Sequence, residues 1–369
     1  MYIGLFSNPA SRGPDTDREV MEAAVNQILR ADDVGFSVAY VTEHHFSGAN
    51  VYSDPFMFGA WLAPQLKNSY LGIAIMSAPY HHPLRMVEYA NVLDVLTKGR
   101  CIVGMATGLP DPTELGAFGI DMADRRDMVD ERMRVMLKVW DRKAGDEPLD
   151  VSTNWDKGLL KGRVVPTSYR KHRPLFGRAT TTDETIVECA ELGLPVMFGI
   201  TFGFDENSLG QLALYRDTLA KSGHSAETIE ELERWIAPSK FVRVTKTQAE
   251  ADEYMENVRA NAPVAPPGKP GGLGGGAAPA APAGPPGIDR LSVFENMHIA
   301  GTPDVVIERI REFEKLDIHH IRCSMMPTMG QTSDLAASKA SFDLFVDEVL
   351  PHLDPQRMPD PVSVSEHWA

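Results

Sequence analysis

The chain has 369 residues, with 51 acidic against 36 basic side chains and a formal net charge of −15. That surplus of negative charge disfavours nucleic acid and anionic membrane surfaces, so neither is expected as a partner and a small-molecule substrate is the default. With 43% hydrophobic and 24% charged residues the chain can bury a large core, and its length suits one α/β barrel with insertions.

Short apolar runs alternate with amphipathic ones, as parallel sheets built from βα units require. The first strand is Tyr2 to Phe6. A helix over Val20 to Val34 carries Ala24, Ile28 and Ala31 on one face and stops at Gly35. Strands follow at Val38 to Thr42, Leu71 to Met76 and Cys101 to Met105, separated by helices at Pro55 to Leu66 and Leu84 to Leu96. In the second half Pro174 to Phe176, Val196 to Ile200, Phe241 to Val244 and His320 to Met325 are strand candidates, with helices starting near Asp183, Asp205, Gln248 and Pro303. Eight strands, and a first turn Phe6-Ser7-Asn8-Pro9 without a glycine fingerprint, favour an α/β fold of (β/α)8 TIM-barrel type over an open doubly wound sheet.

We expect a single domain over residues 1–350 and a C-terminal tail over 351–369, wrapped on the surface or trailing free. Residues 262–287 are almost wholly Pro, Gly and Ala and lie between the seventh and eighth predicted strands. Such a composition buries too little apolar surface to offset ordering entropy, so a mobile insertion is expected. A lid and a bland disordered insertion both fit it. Its flanks, Met255 to Arg259 and Arg290 to His298, read as helix.

Cys101, Cys189 and Cys323 show no CxxC spacing, which argues against a disulfide framework or a zinc site and fits a reducing cytoplasm. The opening MYIGLFSNPAS has no basic leader, and no apolar run reaches the ~18 residues of a membrane span. A cytoplasmic protein is expected.

Chemistry in a barrel sits at the carboxyl edge of the strands. There the second strand ends in Glu43-His44-His45-Phe46. Adjacent side chains on extended backbone point to opposite sides, so only one of His44 and His45 can face the barrel mouth, and a metal pair from them alone is not expected. Ser77 to Arg85 places His81, His82 and Pro83 at the third strand-to-helix turn, where these residues either set turn geometry or serve the site. Arg85 is either an anion contact or a partner of Glu88 or Asp94. Thr180, Thr181 and Thr182 precede a helix, which makes a phosphate cradle or an ordinary N-cap. Arg125 and Arg126 either serve the same phosphate or pair with Asp121, Asp124 and Asp130.

The ordered set Glu43-His44-His45-Phe46, Ala78 to Arg85, Leu93-Asp94, Lys98-Gly99-Arg100, Gly104 to Leu109, Phe118 to Asp121, Gly193-Leu194-Pro195 and Gly301-Thr302-Pro303 resembles the luciferase-like flavin monooxygenases over nearly the full length. The resemblance implies a TIM barrel that binds reduced FMN, delivered by a separate NAD(P)H:flavin reductase, with O2 as co-substrate. It implies oxidation of an aldehyde, ketone or related small molecule through a C4a-(hydro)peroxyflavin. By motif position His44 is the essential histidine, with Glu43, His45 and His82 in support. The same carry-over assigns the FMN phosphate to Arg126, Thr180, Thr181 and Thr182, and a non-proline cis peptide beside the flavin ring to Ala74-Ile75. Ala106 and Thr107 fall in the cofactor site, where the family's luciferase catalytic subunit carries cysteine and arginine. A homodimer, or a heterodimer with a related chain, is expected. Two alternatives remain: a deazaflavin-dependent hydride transferase on the same barrel, and a non-catalytic partner subunit.

Overall fold

A computed structural model describes residues 1–143, 145–170, 172–260, 290–327 and 334–361. All four strands predicted in the first half form, as β1 (Tyr2–Ser7), β2 (Val38–Val41), β3 (Tyr70–Ser77) and β4 (Cys101–Ala106). Helix α1 (Pro14–Val34) begins earlier than its apolar face suggests, because Pro14 and the acidic Asp15 and Asp17 suit a first turn. It stops where expected, at Gly35, whose φ of 102° is a left-handed cap. Helices α2 (Pro55–Leu62) and α3 (Pro83–Leu96) complete the predicted units.

The second half supplies β5 (Leu175–Arg178), β6 (Ser239–Val244), β7 (His298–Gly301) and β8 (His320–Ser324). The eight strands form one parallel ladder in the order β5-β4-β3-β2-β1-β8-β6-β7.

Two expectations need correction. Val196 to Ile200 makes one bridge, Arg178 to Val196, instead of a strand. Met197 N–H reaches Arg178 O at 2.9 Å on that side. On the other side its carbonyls are taken by side chains: Arg322 donates to Phe198 O, and Lys240 Nζ donates to Phe202 O at 2.6 Å and Ile200 O at 3.3 Å. Acceptors bound to cationic side chains do not enter a ladder, so this seam is closed by side chains. The second correction is at His298, read as the end of a helical flank. The helix stops at Asn296, and His298–Gly301 pairs with β6, Phe241 opposite His298. The segment 262–287, and the lid reading with it, lies outside the described residues.

The curvature of the sheet shows in a single cavity of about 350 Å³, which is lined by Phe6 of β1, Ile75 of β3, Ala179 after β5, Met197, Phe241 of β6 and Arg322 of β8. Residues just after β5, at one end of the ladder, and on β6, next to the other end, enclose one space only if the sheet wraps round on itself, as a barrel does. Below the cavity the interior is filled by Tyr40 of β2, whose ring sits between two glycines, one at each edge. A Cβ on Gly72 would meet Tyr40 Cδ1 at 2.1 Å, and one on Gly4 would meet Cε2 at 2.7 Å. Gly72→Ala is therefore expected to destabilise the fold by ~1–3 kcal/mol through overpacking, which urea unfolding measures. An unchanged midpoint would mean that the ring moves aside freely.

The tail crosses the opposite, amino edge of the barrel. Gln356 N–H donates to Met1 O at 2.8 Å, Ser37 Oγ donates to Gln356 O at 2.6 Å, and Tyr70 OH donates to Pro359 O at 2.7 Å. With Leu353 and Met358 buried there, the carboxyl edge is left as the open mouth. No helix among the described residues is long and apolar enough to cross a membrane.

Candidate active site

Period-2 alternation at the exit of β2 separates the two imidazoles as expected. His44 lines the cavity, and its Nδ1 lies 3.3 Å from Glu114 Oε1. His45 turns the other way, with Nε2 3.1 Å from Glu43 Oε1 and its ring edge-on to Tyr80 and Phe118. Glu43, 2% exposed, collects three donors: Ser77 N–H at 2.5 Å, His81 Nε2 at 2.6 Å and His45. Burial alone would raise its pKa. The charge of His81 and hydrogen bonds from His45, His81 and Ser77 outweigh burial and hold Glu43 below the usual carboxylate range. Burial opposes the charge on His81 too, yet Glu43 raises it above the ordinary histidine value. The pair is a buried ion pair that ties the exit of β2 to the top of β3.

Glu114 sits in the short helix α4 (Pro112–Ala117), which Asp111 caps by accepting from Thr113 N–H at 2.8 Å. It accepts from Ser47 Oγ at 2.9 Å and from Tyr80 OH at 3.3 Å. Burial pushes Glu114 up, but His44 and Ser47 hold it below the usual range. Burial and Glu114 together push the Tyr80 hydroxyl up. Sequence reading missed Glu114 and Ser47. The one available signal is the Asp-Pro start of a capped helix after β4, which returns the chain to the mouth.

His82, assigned a supporting role, is a helix cap. Pro83 takes the first helical position, so His82 Nδ1 accepts from Leu84 N–H at 3.2 Å, and the neighbouring His81 is the one that reaches Glu43. Arg85 pairs with Glu88 at 2.8 Å on the surface. Ala74 and Ile75 line the cavity, and the peptide bond between them is cis, where the resemblance places it.

The phosphate-site candidates lie at the ends of β4 and β5, whose register pairs Met105 with Arg178 and so sets the following loops side by side. Ala106 pairs with Ser77, and Thr107 comes next. Arg126 is exposed. It is Arg125, the first residue of α5 (Arg125–Asp141), that donates to Thr107 Oγ1 at 3.1 Å and Gly108 O at 3.0 Å. A guanidinium thus stands beside Thr107, where the resemblance leads us to expect an arginine. Across from it, Thr182 Oγ1 meets Thr185 Oγ1 at 2.9 Å and Thr180 Oγ1 at 3.4 Å, at the start of α6 (Asp183–Glu191). Thr181 is exposed, and its carbonyl accepts from Gln211 Nε2. Free N–H groups at a helix start, a hydroxyl cluster and a nearby guanidinium form a donor set that fits a phosphate.

The profile of the luciferase-like monooxygenases matches residues 1–320. This chain belongs to that family. The monooxygenase is 26% identical over 346 residues to the alkanal monooxygenase alpha chain of the Kryptophanaron alfredi symbiont, covering 91% of this chain and 94% of that one. Its fold is shared by monooxygenase RslO1 from Streptomyces bottropensis, with TM-score 0.73, 20% identity, and coverage of 95% and 99%. The oxygenating constituent of 3,6-diketocamphane monooxygenase from Pseudomonas putida, solved in complex with FMN, superposes with TM-score 0.64 and 17% identity over 97% and 100% of the two chains. The chain is therefore an enzyme, and its family is flavin-dependent.

Proposed function

We propose that this monooxygenase is the oxygenase of a two-component system, taking reduced FMN from a separate NAD(P)H:flavin reductase and using O2 to oxidise a small organic substrate. The observation that carries this reading is His44, held by the Glu114 carboxylate in the cavity that the Ala74-Ile75 peptide also lines. Bound reduced FMN would supply the two electrons that activate O2. Arg125, Thr180, Thr182 and Thr185 would hold its phosphate, with Arg125 in the place assigned to Arg126. Ala74 and Ile75 would border its ring. Nδ1 of His44 is engaged by Glu114, so Nε2 is the nitrogen that holds or moves a proton in the cavity. The mostly apolar wall excludes water and receives the substrate.

Assembly follows the same reading. Met57 and Trp61 on α2 and Val92, Val95 and Leu96 on α3 are exposed on two helices that pack together. We infer that this apolar face pairs with a second copy or a related chain, and light scattering of the purified protein checks it.

Mixing the protein and photoreduced FMN with oxygenated buffer in a stopped-flow cell tests the main proposal. The protein should slow flavin reoxidation and, with the right aldehyde, ketone or terpene, place one atom from 18O2 in the product. Reoxidation at the protein-free rate, with no labelled product across the panel, would reject it. Anaerobic reduction of a deazaflavin by an alcohol would favour hydride transfer instead.

A further inference from the structure

Three arginines are buried among the described residues, and two of them face carboxylates. Arg132 lies 2.8 Å from Asp156, and Arg178 contacts Asp130 and Glu188. Arg322, 4% exposed, has no carboxylate partner among the described residues. Its Nε donates to Ala237 O at 2.7 Å and its Nη2 donates to Phe198 O. The rings of Phe6 and Tyr40 lie 5.9 and 5.5 Å from its Cζ. Carbonyl dipoles and ring faces occupy part of a five-donor fork and leave its full charge unneutralised.

The guanidinium also lines the cavity that holds His44. Alternation along β8 sends Ile321 and Cys323 into the helix layer, and Arg322 and Ser324 into the barrel. Ser324 is one step nearer the mouth, and its buried Oγ has no hydrogen-bond partner. One strand face therefore presents a buried uncompensated cation and a buried unpartnered hydroxyl to the same interior. Both are costly unless a ligand completes them.

We propose that Arg322 forms an anion seat in the floor of the cavity, with the Ser324 hydroxyl beside it on the same strand face, and that the seat receives a negatively charged oxygen of the bound ligand, such as a carboxylate, phenolate or enolate. The proposal rests on the function above in assigning the ligand to that cavity, and it narrows the substrate class to molecules with an acidic or acceptor oxygen. Reduced flavin, itself an anionic ring, shares this chemistry, so the two sources are separated by experiment.

The protein, with and without FMN, is titrated with benzoate and hexanoate against the neutral benzamide and hexanamide, followed by calorimetry and tryptophan fluorescence. In parallel, the affinities of reduced and oxidised FMN are measured for wild type, Arg322→Met and Arg322→Lys. If the substrate supplies the anion, the wild type prefers the carboxylates by at least about tenfold, Arg322→Met abolishes the preference and Arg322→Lys retains most of it. If the flavin supplies it, Arg322→Met weakens reduced FMN more than oxidised FMN, and the carboxylates show no preference. A wild type without carboxylate preference, together with variants whose affinities for both flavin states match the wild type, overturns the seat. Should Arg322→Met fail to fold, Arg322→Gln, which also removes the charge, takes its place in both arms. None of these readouts needs turnover. Absent oxygenase activity with an intact carboxylate preference would sink the proposed function alone, whereas oxygenase activity with neither a carboxylate preference nor any effect of the Arg322 variants on flavin affinity would sink the seat alone.

Discussion

Replacing His44 by alanine is expected to lower product formation by roughly 10²–10⁴-fold, the usual contribution of a positioned acid–base group, without loss of FMN binding or thermal stability. The imidazole lines the cavity, so its loss enlarges an existing space and opens no new void in the packed core. Its Nδ1 faces Glu114, and the other nitrogen has no protein partner among the described residues. Glu114 acts through His44, as a positioning residue. Glu114→Gln keeps an acceptor in place and removes the charge, so its effect on kcat/KM should be smaller, on the order of tenfold, in line with a hydrogen-bonded charge pair. Because the two side chains work as a unit, the double variant should be no worse than His44→Ala. Comparing kcat/KM across the four proteins checks this. A fully active His44→Ala enzyme would remove the residue from the mechanism, and additive losses would separate Glu114 from it.

Glu43→Ala should be the most damaging single change to the fold near the site, costing ~3–5 kcal/mol. It leaves a buried imidazolium at His81 without its counter-charge, and His45 and Ser77 N–H without their acceptor. The pH dependence has a definite sign. Glu43 is held below its ordinary value of 4.5, so its contribution is present above pH 4.5 and is lost as pH falls through the lowered value. His81 is raised above 6.5, so its contribution is complete below pH 6.5 and is lost as pH rises through the raised value. Wild type and Glu43→Gln should therefore differ most between pH 4.5 and 6.5. Urea unfolding of both proteins across pH 3 to 9, a range of about two units beyond these values, measures that difference. A gap independent of pH would show that the pair is uncharged. Activity should fall with stability, since Glu43 ties the strand bearing His44 to the strand bearing Ala74 and Ile75.

Much of the architecture and part of the site were legible in the chain itself. The βα rhythm, the cap at Gly35 and the divergence of His44 from His45 follow from local periodicity, which needs no knowledge of distant residues. Motif order along the chain was enough to point to the family and to the Ala74-Ile75 bond. Which of two neighbouring side chains reaches Glu43 or Thr107 was decided elsewhere. His81 over His82, and Arg125 over Arg126, depend on where a helix begins, because a shift of one position turns a side chain by about 100°. Helix starts are set by capping and packing against the barrel. Val196 to Ile200 carries a strand's apolar run, but its carbonyls meet Lys240 and Arg322 in place of a neighbouring strand, and His298–Gly301 extends only because β6 offers an open edge. Glu114 lies 70 residues from His44 in the chain, and Arg322 reads in sequence as one more residue of a buried strand. Closure of the sheet brings that carboxylate to that imidazole and that unpaired guanidinium to the same cavity. Periodicity is a property of neighbours along the chain, so the sequence by itself determined most of the elements; the two that depend on a neighbouring strand, and the charges that meet at the carboxyl edge, were decided only when the barrel closed.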